Sequence, residues 1–268
     1  MIILSPLVIV KKIRHVSTGL NRIMNSPMNE KAIYFISDAH LSFDTHQREK
    51  VLTDFLKSIT GKASHLYIIG DLFDFWFEYK HAIPAAYLRT LAALVSLTGA
   101  GVRVIYLPGN HDFWMGDYLA RQAGIDIAGE KLEIMHQGKK IHLYHGDGLA
   151  YGDSGYRIIK RIFRFKPNIW LFRLLPVDLA YRLAHGTSGA SRQHTTAKDK
   201  DLKGYYDYGA KKIAEGCDAV IMGHTHLPEI RQMAAGHYIN TGDWIDNNSY
   251  VILADGQFRL AYWGKNDL

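Results

Sequence analysis

Short apolar runs recur along this chain, and each stops abruptly at a polar residue or a glycine. Ala32-Ile33-Tyr34-Phe35-Ile36 ends at Ser37-Asp38, Leu66-Tyr67-Ile68-Ile69 at Gly70-Asp71, and Val102-Arg103-Val104-Ile105-Tyr106-Leu107 at Pro108-Gly109-Asn110. Runs of this length bounded by turn formers predict buried strands. Between the first two, residues from about Thr45 to Ile59 place Val51, Leu52, Phe55 and Leu56 on one helical face. Pro84 opens a second helix that runs to about Leu97. This alternation predicts an α/β unit with parallel strands. After Gly124 the pattern changes: Glu130–Met135 and Lys140–His145 read as two strands joined at Gln137-Gly138. From Ser154 to about Lys200 the spacing is helical, and a helix from about Gly204 to Glu215 leads into the strand Ala219–Met222. Short strands fill Glu229 to Trp263. The pattern predicts one α/β sandwich of two sheets, with a helical insertion at about 154–200 and no internal repeat.

The residues that close the strands carry the chemistry. In chain order they are Asp38-Ala39-His40, Gly70-Asp71, Gly109-Asn110-His111-Asp112, His145-Gly146-Asp147 and Gly223-His224-Thr225-His226. Open α/β sheets place their sites just beyond the carboxyl ends of strands. In an extended segment, residues two apart point the same way, so Asp38 with His40, and His224 with His226, are expected to face one cluster. Taken singly, an Asp-x-His after a strand is ordinarily a turn or a helix cap, and Gly-Asp carries little information. Gly-Asn-His-Asp is sharper, because Asn is a poor metal ligand outside a site built for it. All five together supply oxygen and imidazole donors from distant parts of the chain, as a two-metal site requires.

In these motifs the chain resembles the calcineurin-like metallophosphoesterases, whose pattern is complete between Asp38 and His226. The resemblance implies a four-layer α/β-β/α sandwich holding two divalent cations. One cation would be bound by Asp38, His40, Asp71 and His226, the other by Asp71, Asn110, His145 and His224, with Asp71 bridging. His111 would serve the leaving group as a catalytic acid or hydrogen-bond donor, and Asp112 would orient its ring. A mixed nitrogen and oxygen ligand set disfavours calcium and suits manganese, iron or zinc.

Charge and composition then narrow the substrate. The 268 residues carry a net charge of +6, and between Arg157 and Lys200 ten bases stand against two acids. The basic excess is therefore a local surface, and it coincides with the helical insertion. There bulky apolar residues alternate with cations, as in Arg157-Ile158-Ile159-Lys160-Arg161-Ile162-Phe163-Arg164-Phe165-Lys166. A nucleic-acid surface would be more polar and would repeat a reading motif, so none is expected, and no obligate protein partner is indicated. A lid of this composition can enclose acyl chains and meet anionic headgroups; alternatively, its apolar positions simply pack it onto the sandwich.

The aromatic loop Asp71-Leu72-Phe73-Asp74-Phe75-Trp76-Phe77, the segment His145-Gly146-Asp147-Gly148 and the basic insertion are together similar to the UDP-2,3-diacylglucosamine diphosphatases of lipid A synthesis. That resemblance implies hydrolysis of an acylated UDP-sugar to UMP and 2,3-diacylglucosamine 1-phosphate, usually with Mn2+. It also implies a cytoplasmic enzyme lying peripherally on the inner membrane. Substrate contacts would come from Asn110, His111, Asp153, Ser191, Lys198 and His224, with Arg192 a neighbouring candidate. One departure stands out: many of these diphosphatases have Arg after the ligating Asn, where this chain has His111. Histidine there is what generic metallophosphoesterases use, which keeps hydrolysis of a nucleotide, sugar nucleotide or other phosphodiester as the alternative.

No apolar stretch approaches the roughly 18–20 residues needed to span a bilayer. Met1 to Val10 are apolar and precede Lys11, Lys12 and Arg14, the reverse of a signal-peptide order. Residues 1–27 are therefore expected to be a dispensable extension to a domain at 28–268. A lone Cys217 excludes an intrachain disulfide.

Overall fold

In strand β1 (Ala32–Ile36) successive side chains enter two different cores. Ile33 and Phe35 point into one, Tyr34 and Ile36 into the other. The same division holds in β2 (Ala63–Ile69) and β3 (Arg103–Leu107). Strands buried on both faces read as continuous apolar runs, and their covering layers must lie on both sides. The computed structural model describes residues 31–79, 82–150, 160–183 and 202–264 and supplies those layers.

The first sheet has six strands in the order β11-β10-β1-β2-β3-β4. β1, β2, β3 and β4 (Asp126–Ile127) run parallel, while β10 (Ser249–Ala254) and β11 (Gln257–Tyr262) add an antiparallel edge. Helices α1 (His46–Ser58) and α2 (Leu88–Gly99) cover its outer face through Leu52, Phe55, Leu56, Leu91, Leu94 and Leu97. The second sheet has five strands in the order β5-β6-β7-β9-β8. They are β5 (Lys131–His136), β6 (Lys139–Tyr144), β7 (Ala219–Met222), β8 (Glu229–Met233) and β9 (Gly236–Asn240). Ile141, Leu143, Ala219, Ile221 and Ile239 meet the first sheet's inner face in a shared core. Helix α5 (Lys203–Ala214) closes the other side, where Tyr205 and Ile213 pack on Val220, Met222 and Tyr238. The result is the expected four-layer α/β-β/α sandwich.

Differences from the sequence reading are local. β2 begins at Ala63 rather than Leu66, and a single 3-10 turn, Ala85–Tyr87, separates Pro84 from α2. Helix α3 (Tyr118–Ala123) and the two-residue β4 are too short to show a periodicity. Residues 160–183 are helical, with α4 at Lys166–Phe172 followed by a helical segment at 177–183. The N-terminal extension, Asp153, Ser191, Arg192 and Lys198 lie outside the described residues.

Candidate metal centre

The carboxyl ends of β1, β2, β3, β6 and β7 meet along one edge of the sandwich, and the seven candidate ligands stand just past them. His40 Nε2 lies 3.7 Å from Asp38 Oδ1 and 3.7 Å from Asp71 Oδ2. His226 Nε2 lies 3.4 Å from Asp38 Oδ1 and 3.3 Å from His40 Nε2. On the other side of Asp71, His145 Nε2 is 3.3 Å from Asp71 Oδ2, 2.9 Å from Asn110 Oδ1 and 3.3 Å from His224 Nδ1. The structure thus brings all seven close together, with Asp71 Oδ2 between His40 on one side and His145 on the other.

Their backbone is unusual. Asp38 (φ 53°), His40 (42°), Asp71 (53°), His224 (70°) and His226 (60°) are all left-handed. The expectation that Asp-x-His and His-x-His aim both side chains by extended geometry is corrected here: alternate left-handed residues do the aiming. Such conformations cost about 1–3 kcal/mol each and persist where surrounding contacts over-determine them. Hydrogen bonds between loops do so: His40 N–H donates to Asp71 O (2.9 Å), Asp38 N–H to Gly70 O (3.2 Å) and Trp244 N–H to Asp38 O (3.1 Å). Two glycines make room. A Cβ at Gly109 would fall 2.6 Å from the Asp71 amide nitrogen, and one at Gly223 would strike the Asp38 carboxylate.

The donor set fits divalent cations. Asp38 Oδ1 is buried with no hydrogen-bond partner, an arrangement that costs free energy unless a cation satisfies it. Imidazole nitrogens face one another at 3.3 Å in both groups, as lone pairs converging on a shared ion would. Tautomers agree with this. His145 Nδ1 donates to Ile69 O at 2.8 Å, leaving Nε2 for the second group. His40 Nδ1 faces Asp74 Oδ1 at 3.6 Å, leaving Nε2 for the first. Without cations, protons take their place. Burial opposes a charge on His40, but Asp38, Asp74 and Asp71 raise its pKa to about 9. Burial likewise opposes a charge on His145, and Asp71 with Asp38 holds it well above the ordinary value. Burial and the neighbouring His145 push His224 down to about 4, so that ring is neutral.

Asp112 has a different task from the one expected. Its carboxylate accepts the backbone N–H groups of Gly109 (2.8 Å), Asp71 (3.2 Å) and Phe73 (3.3 Å), and the Tyr106 hydroxyl in a short hydrogen bond. It ties the Asp71 loop to the Asn110 loop rather than orienting His111. Asp74 stands against that ring instead, with Nδ1 of His111 3.6 Å from Asp74 Oδ1 and 3.3 Å from its carbonyl. Asp74 therefore faces both His40 and His111. Asp74 lies in the aromatic loop outside the five motifs, and its place three residues after Asp71 is the signal the sequence offers for it.

Comparison with known proteins agrees with this geometry. Residues 31–228 match the family described as Calcineurin-like phosphoesterase. The chain belongs to that family. Curated relatives named UDP-2,3-diacylglucosamine hydrolase include one from Aeromonas hydrophila, 32% identical over 84% of this chain and 96% of its own length. Another from Haemophilus influenzae is 32% identical over 85% of this chain and 98% of its own. One from Porphyromonas gingivalis is 31% identical over 82% and 93%.

Against the phosphoesterase core, the helical insertion presents two faces. Inward, Ile169, Phe172 and Tyr181 pack on Phe75, Phe77 and Trp114, so the aromatic loop after Asp71 is the insertion's seat. Outward, Ile162, Phe163, Phe165, Trp170, Leu171 and Leu174 are all exposed. Ion pairs fix its root: Lys160 Nζ is 2.8 Å from Asp147 Oδ2, and Arg164 pairs with Glu130 while donating to Gly109 O at 3.1 Å. Gly109 precedes the candidate ligand Asn110, and Asp147 follows His145 by two residues, so the insertion is anchored on two of the loops that carry the second group.

Proposed function

We propose that this protein hydrolyses the pyrophosphate bond of UDP-2,3-diacylglucosamine, giving UMP and 2,3-diacylglucosamine 1-phosphate. The observation that carries the reading is the pair of ligand groups, Asp38 with His40 and His226 and Asp71 with His145 and His224, beneath an amphipathic insertion, in a chain that relatives of that name match over 84–85% of its length. Asp38, His40, Asp71 and His226 would hold one divalent cation and Asp71, Asn110, His145 and His224 the other, with Mn2+ the proposed metal. The cations supply an acidified water at neutral pH and neutralise charge on the phosphoryl oxygens.

The chain's own residues do the rest. Asn110 and His224 border the position where the phosphoryl group must sit, and His111 serves the leaving oxygen. As an acid, His111 must carry a proton on each ring nitrogen. Burial, with the neighbouring His40, lowers its pKa overall in the metal-free fold, against the Asp71 and Asp74 carboxylates, which favour the charged ring. Asp74 holds Nδ1, so the proton to be delivered is the one on Nε2. Asp153, just before the insertion, and Ser191 and Lys198, within it, are proposed substrate contacts.

The outward face of 160–183 is proposed to meet acyl chains and the cytoplasmic surface of the inner membrane. Its exposed apolar side chains are interspersed with Arg161, Arg173 and Arg182 against a single acid, Asp178, a composition suited to an anionic interface. No helix among the described residues is long and apolar enough to cross a membrane. The second reading, hydrolysis of an unacylated nucleotide or phosphodiester, is favoured by His111 standing where many diphosphatases have Arg.

The test is product analysis with purified protein, Mn2+ and UDP-2,3-diacylglucosamine. UMP release that EDTA abolishes supports the proposal. Hydrolysis of a generic phosphodiester without UMP release would transfer the assignment to the second reading.

A further inference from the structure

Among the candidate histidine ligands, His40, His145 and His224 are buried, whereas His226 has 28% of its side chain exposed. Its backbone is left-handed, and a partly exposed ring on such a residue needs an external hold to keep one nitrogen on a cation. For His145 that hold on Nδ1 is a hydrogen bond to Ile69 O at 2.8 Å, and for His40 the carboxylate facing Nδ1 is that of Asp74, at an ion-pair distance of 3.6 Å. For His226, the atom facing Nδ1 is Asp243 Oδ2, at 3.7 Å.

We propose that Asp243 is the positioning residue for His226, fixing its tautomer with the proton on Nδ1 and Nε2 open to the cation shared with Asp38 and His40. This rests on the two-cation reading above.

The two oxygens of Asp243 do separate things. Oδ1 accepts the backbone N–H groups of Ile245 (2.9 Å), Asp246 (2.8 Å) and Asn247 (3.0 Å), which immobilises the carboxylate. Oδ2 accepts Asn247 Nδ2 at 3.1 Å and faces His226. The same Asn247 Nδ2 lies 3.3 Å from the His226 carbonyl, so the ring's backbone and its partner are tied together. Trp244 N–H, next in the chain, donates to Asp38 O. The loop after Asp243 thus contacts two ligands of one ion and is fixed from both sides. Asp243 itself is buried, and a buried carboxylate beside an imidazole N–H is the usual outer partner of a ligating histidine.

Asp243→Asn separates the two oxygens. The three backbone donors hold the amide oxygen at Oδ1, which places an NH2 group against His226 Nδ1. Two donors cannot share that contact, so the ring turns its proton to Nε2, away from productive ligation. The expected result is a fall of about 10–100-fold in affinity at one of two Zn2+ sites, read by chelator competition on the full chain. Because the new NH2 also faces Asn247 Nδ2, the thermal midpoint of the metal-free protein should fall no further than in Asn247→Ala, which loses the same contact, and 15N spectra of the histidine rings should show the proton moved from Nδ1 to Nε2. In a His226→Gln background, Asp243→Asn should cost nothing further. If Asp243→Asn lowers metal-free stability, the loop effect is removed by comparison with Asn247→Ala, which keeps the carboxylate and is expected to keep the affinity. Unchanged affinity in Asp243→Asn, or an equal further loss in the His226→Gln background, would overturn the assignment. Absence of any Zn2+ uptake by the unmodified protein would instead remove the two-cation reading itself.

Discussion

The ligand loops bury the carboxylates beside the candidate ligands, Asp38, Asp71, Asp74, Asp112 and Asp147, whereas the insertion at 160–183 leaves nine large apolar side chains exposed. In the loops, left-handed residues and inter-loop hydrogen bonds hold side chains within 4 Å of one another. In the insertion, the inward aromatic face, the Lys160 and Arg164 ion pairs and the hydrogen bond from Trp114 Nε1 to Phe163 O fix the position of the described residues. Catalysis needs donors preorganised before substrate arrives, while an acyl-binding surface needs apolar area that substrate or membrane can cover. Under the proposed function the loops perform hydrolysis and the insertion selects what is hydrolysed, so substitutions in the two should have separable kinetic signatures.

The largest effect is expected at the shared ligand. Asp71→Ala should lower turnover of acylated and unacylated substrates alike by at least about a thousandfold, the loss of several kcal/mol of charge stabilisation. Steady-state kinetics with both substrates checks this, and retained activity would remove the paired-site account. Next, Phe165→Ser combined with Trp170→Ser should lower kcat/KM for the diacylated substrate by about 10–100-fold. Activity on a small phosphodiester should stay unchanged. Equal losses on both substrates would mean the outward face is structural.

Arg164→Ala should act across the boundary. It removes the guanidinium that pairs with Glu130 and caps Gly109 O, and should raise KM for the acylated substrate about tenfold. Arg164→Lys, which keeps the charge, should recover part of that loss in the same assay.

The smallest effect is a pH dependence of stability. His40 has its pKa raised to about 9 in the metal-free fold, so its contribution to stability is complete below its unfolded value near 6.5 and fades as pH rises toward 9. Cation binding requires the unprotonated ring and strengthens over the same range. The rise in thermal midpoint on adding Mn2+ should therefore grow from pH 6.5 to pH 9; a shift that shrinks would contradict the proton-for-metal exchange.

How much of this the chain announces on its own follows the same division. Asp38, Asp71, Asn110, His145 and His224 each stand just beyond an apolar strand, and the strand runs are visible because both faces of each strand are buried. Outer partners such as Asp74 and Asp243 are less visible, since each is defined by the ring it faces rather than by local spacing. Asp112 illustrates the limit: adjacency to His111 points to that ring, while the turn directs its carboxylate to the amides of Gly109, Asp71 and Phe73. For the insertion, composition conveyed both packing and exposure, and tertiary contacts divide them: Ile169 and Phe172 face in, Trp170 and Leu171 face out.

The central claim is that the metal centre cleaves and the insertion chooses. Its most direct test is the ratio of kcat/KM for UDP-2,3-diacylglucosamine over UDP-GlcNAc, both with saturating Mn2+. Burial of even part of the acyl chains predicts a ratio above about 100, with both activities abolished by EDTA. A ratio near one would contradict the claim and make the outward apolar face irrelevant to substrate choice.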